Sequence, residues 1–238
     1  MKNVKIYIVV TLLLFCTLSF MASAQNNANT TNQLTAEQRS KSDADQEAKA
    51  AEWTGSLNLN DATKEAKVKA AITAHLKTIR DWHNEHPFTT VPAGINPATG
   101  NKLSELDRQV IANSAMPKSI HDDLLNVLKA ELSNEQVEMV LDKYTIGKVS
   151  FTMNGYKAIV PDLTIEEEEK LLGFLKQARE QAIDYKSMQQ ISAIFEIYKT
   201  KCEQYLNSNG RNWRQLYKAY SDKIKAQKEA EKQKAKSN

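Results

Sequence analysis

Helix-start signals recur along this chain more often than any other pattern. Thr35 with Gln38, Ser133 with Gln136, Thr164 with Glu167 and Ser187 with Gln190 each place a hydroxyl residue three positions before an amide or carboxylate. That spacing is a capping box. The hydroxyl accepts from the third helical N–H, and the longer side chain reaches back to the N–H of the cap. Leu34, Leu132 and Leu163 precede three of the boxes, as apolar staples that set the angle of entry. The physical content of the repeated Leu-Thr/Ser-x-x-Gln/Glu motif is a helix start. A chain so punctuated is expected to be mainly α, a helical bundle.

Apolar spacing fills in the elements. The segment after Leu34 is expected to be a short helix reaching Trp53. Between a cap at Asn60 or Asp61 and Trp82, apolar residues such as Val68, Ile72, Leu76 and Ile79 repeat at helical intervals, and Pro87 ends the run. Residues 87–100, with three prolines and two glycines, read as an ordered surface loop. Residues 103–113 and 117–132 resume helical patterning, with Pro117 acceptable at a first helical position. Leu171, Leu175, Ala178 and Ala182 mark a helix to about Tyr185; Ile191, Ile194, Phe195, Cys202 and Leu206 mark another, stopped by Asn209-Gly210. These last two are expected to fold back on each other near Lys186.

One segment reads differently. Residues 149–153 and 156–160 are strand-like runs around Asn154-Gly155, a dipeptide that tolerates the positive φ angles of a type I′ turn. The expectation is one inserted β-hairpin at 149–160, pairing Met153 with Tyr156, Phe151 with Ala158 and Val149 with Val160. All six side chains would then share an apolar face resting on helices.

The amino-terminal residues 1–24 have Lys2 and Lys5, an apolar run from Ile6 to Phe20, and Ala22-Ser23-Ala24. That order is a secretory signal peptide, cleaved near Ala24, and it implies a secreted or periplasmic protein with no integral membrane segment after cleavage. Asn/Thr-rich residues 25–33 read as a disordered linker, residues 34–220 as one helical domain, and residues 221–238 as a basic C-terminal helix end or tail. The chain has 32 Lys+Arg against 29 Asp+Glu, and two of the lysines leave with the signal. A nearly neutral remainder argues against nucleic acid as a partner. Cys16 also leaves, so Cys202 has no disulfide partner and is expected to be a small buried hydrophobe.

Several short motifs in order resemble a known family. They are Asp142 with Thr145-Ile146-Gly147, Thr152-Met153-Asn154-Gly155-Tyr156, Pro161-Asp162-Leu163-Thr164, the run from Ala178 to Asp184, Phe195 with Tyr198-Lys199, and Tyr205-Leu206 with Gly210. Together they resemble the secreted Bacteroidota proteins catalogued as domain of unknown function 3826, over roughly residues 53–210. The resemblance implies sugar recognition in the setting of polysaccharide utilisation, with no reaction established for the family. Residues 141–147 and 197–203 depart from its pattern, so a ligand site built there is altered in this chain.

The candidate ligand-binding residues are Trp82, Tyr144 and Tyr156, whose rings would stack on sugar C–H faces, with Asn154, Arg179, Asp184, Lys199 and Asp142 as polar partners. Asn154, Arg179, Asp184 and Lys199 stand at positions the resemblance marks. Each has a plain alternative in packing or helix capping. Asp142 and Asp184 would serve glycoside cleavage only if they face each other. His83 and His86, three apart, do not by themselves close a metal site, so no metal and no cofactor is expected. The functional expectation is an exported, non-catalytic carbohydrate-associated protein. A glycan-active enzyme using a carboxylate pair and a periplasmic chaperone-like protein are the alternatives. An open aromatic groove, two facing acids or a concave apolar surface, respectively, would mark the three.

Overall fold

The computed structural model describes residues 34–97 and 99–237. The signal peptide expected at residues 1–24 and the linker expected at 25–33 lie outside the described residues. Nine α-helices occur among the described residues: α1 (Ala36–Gly55), α2 (Ala62–Glu85), α3 (Glu105–Asn113), α4 (Lys118–Glu131), α5 (Asn134–Tyr144), α6 (Lys148–Ile159), α7 (Ile165–Ala182), α8 (Met188–Ser208) and α9 (Trp213–Ser237). None of them is long and apolar enough to cross a membrane.

All four expected capping boxes form, at Thr35, Ser133, Thr164 and Ser187. A fifth, Ser104 with Asp107, opens α3; its aspartate falls outside the Glu/Gln pattern. Asp61 caps α2 by accepting from the N–H groups of Thr63 and Lys64. Residues 87–100 hold a single 3-10 turn at Phe88–Thr90, and Ile95 makes an isolated bridge to Lys102. The Arg108 guanidinium pins this loop by donating to the Val91 carbonyl.

The β-hairpin expected at 149–160 does not form; those residues belong to α6 and the position that caps it. Val149, Met153, Tyr156 and Val160 are buried. Their spacing of four, three and four residues is helical, and it puts all four on one side. The hairpin register would have buried Phe151, which is 78% exposed. Asn154-Gly155 offers a local turn at modest gain, whereas a helical run sets four side chains on one face for burial against other helices. The chain reverses earlier, at Ile146 (φ 52°) and Gly147 (φ 64°). There the Gly147 N–H donates to the Asp142 carbonyl and the Ile146 N–H to that of Lys143, closing α5 as a Schellman motif.

Two apolar cores result. The first gathers Ala50, Val68, Ile72, Leu76 and Ile79 from α1 and α2, Leu124 and Leu128 from α4, and Val140 and Tyr144 from α5. The second gathers Val149, Met153 and Tyr156 from α6, Leu171, Leu175 and Ala178 from α7, and Ile194, Phe195, Cys202 and Leu206 from α8. They meet at the corner between α7 and α8, where Ile183 enters the first core while Ala182 and Tyr185 enter the second. Burial pushes the Cys202 thiol up to about 11, so it stays protonated and inert.

The helical reading of residues 148–159 is testable. A Cβ at Gly155 meets nothing within 4 Å. Gly155→Ala is therefore expected to raise stability to urea by about 0.5–1 kcal/mol, the helix preference for alanine over glycine. In an Asn-Gly turn the same change would destabilise.

Candidate functional site

A cleft of about 590 Å³ lies between α6 and α9 with α8 beneath. Its wall is aromatic. Tyr156 sits at the base, its hydroxyl donating to the Lys199 carbonyl at 3.1 Å. Trp213 packs 5.2 Å from Tyr156, and Tyr217 lies 6.0 Å from Trp213, centroid to centroid. Tyr220 extends the row and Phe151 projects at the lip. Trp213, Tyr217 and Tyr220 are spaced four and three apart, so α9 turns one aromatic stripe into the cleft. Asn154, Thr152, Lys199 and Glu203 supply the polar edge. Burial raises the Glu203 carboxyl above the ordinary range against the pull of Lys199, whose ammonium is held by Glu196 at 2.8 Å.

One buried carboxylate sets the angle of α9. Glu167 closes the capping box of α7 by accepting from the Thr164 N–H, and Arg211, in the link before α9, grips it with two parallel bonds of 2.8 and 2.7 Å. Arg211 also reaches Asp162, and Asn209 adds a third donor to Glu167. The Arg211 guanidinium pulls the Glu167 carboxyl down to about 2.

A second constellation surrounds Asp184, at the corner where the two cores meet. His75 Nε2 lies 3.2 Å from Oδ1, and His121 Nδ1 lies 2.9 Å from Oδ2. His83 Nε2 contacts the Asp184 carbonyl at 2.8 Å, while the Gln109 amide donates to its Nδ1; His83 is thereby the tautomer protonated on Nε2. Burial would raise the Asp184 carboxyl, but the bonds from His121 and His75 outweigh it and hold it below its ordinary value. Asp184 in turn raises His121, whereas burial lowers His83.

The eight expected site residues thus separate. Asn154, Tyr156 and Lys199 come together in the cleft. Asp142 pairs with the buried Arg179 at 2.6 Å, opposite Glu138 at 2.7 Å. Asp184 is engaged by histidines, so the two aspartates sit in separate ion pairs. Tyr144 is a core residue, edge-on to Trp53 at 4.8 Å. Trp82 stacks on His86 at 3.7 Å, remote from the cleft lining. His86 Nδ1 is bonded to the Trp82 carbonyl, so His83 and His86 serve different structural bonds. Phe151, Tyr220 and Glu203 were missed by the sequence reading. An exposed aromatic off the α6 stripe and the four-three spacing on α9 were the available signals. His121 carried no local signal at all.

Fold and cleft together define a helical protein with an open aromatic cleft. A family model matches residues 43–226, and the chain belongs to that family, described as protein of unknown function (DUF3826). No curated protein matches the chain.

The Asp184 cluster predicts a pH signature. A histidine whose folded value is raised contributes fully below its ordinary value near 6.5 and loses that contribution as pH rises through the raised value. His121→Gln is therefore expected to lower the melting temperature more at pH ~5.5 than at pH ~8.5. Equal lowering at both, in thermal unfolding followed by circular dichroism, would remove the ionic role from His121.

Proposed function

We propose that this protein is an exported, non-catalytic carbohydrate-binding protein that seats a glycan in the α6–α9 cleft and serves polysaccharide utilisation. The reading rests chiefly on one observation: Tyr156, Trp213, Tyr217 and Tyr220 line one open cleft together with an amide, an ammonium and a carboxylate. Aromatic faces pack against the C–H faces of pyranose rings, and planar polar groups at the edge meet hydroxyls. A cleft open along its length suits a chain rather than a fully enclosed monosaccharide. Glu203 is the one carboxylate in the lining, whereas glycosidic cleavage needs an acid and a second carboxylate about 5–10 Å apart. The leader at residues 1–24 supports export.

The test is retention on affinity gels of plant and host polysaccharides, with released products monitored. Wild type is expected to be retarded without releasing sugars. Trp213→Ala and Tyr217→Ala are each expected to weaken binding about tenfold, the scale of one lost aromatic stacking contact. Trp82→Ala should leave retention unchanged. Unaltered retention of both cleft variants would displace the site, and product release would displace the non-catalytic reading.

A further inference from the structure

A second pocket has a different chemistry. It measures about 340 Å³ and lies between α1, α2, the end of α5 and the α7–α8 corner. Its lining contains Lys49, Arg80, Lys143 and Lys186 and not one carboxylate. The aromatic cleft, by contrast, balances Lys199 with Glu203. In a chain of almost balanced charge, four cations around one cavity are a concentration that needs an account.

The cations are not equivalent. Arg80 is a wall element, its charge met by Asp43 and Asp81 and its guanidinium bonded to Ser42. The lysines carry the surplus. Lys49 and Lys143 are exposed, and their ammonium groups make no ion pair or hydrogen bond among the described residues. Lys186 donates only to the neutral Asn84 amide, and burial alone lowers its ammonium from the ordinary range. Three lysines thus line one cavity whose lining offers them no carboxylate, and an anion there would supply the counter-charge. Apart from Ser42 and Gln46, the rest of the lining is apolar or aromatic, including Trp53, Met188 and Ile191.

Backbone strain marks the same place. Ile146, in the pocket lining and 71% exposed, holds φ at 52°, where a β-branched side chain is disfavoured and glycine or asparagine normally ends a helix. Strain kept at an exposed position that needs no isoleucine for packing is characteristic of binding sites.

We propose that this pocket binds a small organic anion, a carboxylate on an apolar body, with the carboxylate met by Lys49, Lys143 and Lys186 and the body against Trp53, Met188 and Ile191. Its volume sits at the small end of ligand cavities, which run from about 300 to 1,000 Å³. This site stands independently of the glycan cleft.

Calorimetric titration of the protein with octanoate tests it, beside octanol (the same body without charge) and inorganic phosphate (charge without the body). Octanoate is expected to bind at least tenfold tighter than either. Its affinity should fall as salt rises toward ~0.5 M, where screening shortens to a few ångströms. Lys143→Gln and Lys186→Gln should each weaken octanoate about tenfold, the scale of one charge-assisted hydrogen bond. Lys199→Gln, at the aromatic cleft, should not. Octanol or phosphate binding as tightly as octanoate overturns the proposal. So does the absence of binding heat with octanoate, or unchanged affinity in both pocket variants.

Discussion

Asp184 occupies the one corner at which both apolar cores can be held in register. Its backbone neighbours enter different cores, Ile183 into one and Tyr185 into the other. Its carboxylate and carbonyl take histidines from α2 and α4, and Gln109 of α3 braces His83 from behind. A half-buried carboxylate of this kind is costly to desolvate unless its partners are in place. The cluster therefore favours the single arrangement in which α2, α4 and the α7–α8 corner all arrive together. Apolar packing alone is tolerant of sliding; directional bonds are not.

The same logic operates at the other end. Glu167 is buried among α7, the link before α9 and Asp162, and it is satisfied by Arg211, Asn209 and its own capping duty. With that grip in place, α9 leaves α8 at a fixed angle and brings Trp213 against Tyr156. The cleft is the space left between α6 and α9. Phe151 and Tyr217 stay exposed, covered by none of the described residues. Exposed aromatics cost solubility, and several aligned along one cleft are better explained by a ligand than by folding.

The two pockets divide their chemistry. The cleft is aromatic, with one lysine and one glutamate in its lining; the pocket beside α1 is smaller and cationic. Both draw on α8, but their linings share no residue, so a ligand in one need not compete with a ligand in the other. Asp184 lies at the corner where the two cores meet, bonded to α2 and α4.

Helix positions were legible because a cap is a local object. Thr35, Ser133, Thr164 and Ser187 act within three residues, and the apolar stripe of each helix repeats within one turn. Even so, the strand-like residues around Asn154-Gly155 went into a helix. Val149, Met153, Tyr156 and Val160 fit either period in part, and only the surface formed by α7, α8 and α9 decided between them. The cleft was half legible: Tyr156, Asn154 and Lys199 stood out, but Phe151 and Tyr220 became neighbours only when α9 docked. The Asp184 cluster was illegible, since its histidines lie 63 to 109 residues away. Caps and periodicity act over a few residues and are written in order along the chain. Long-range ion pairs, the choice between helix and hairpin, and the charge of a pocket depend on which helices meet, and packing alone settles that.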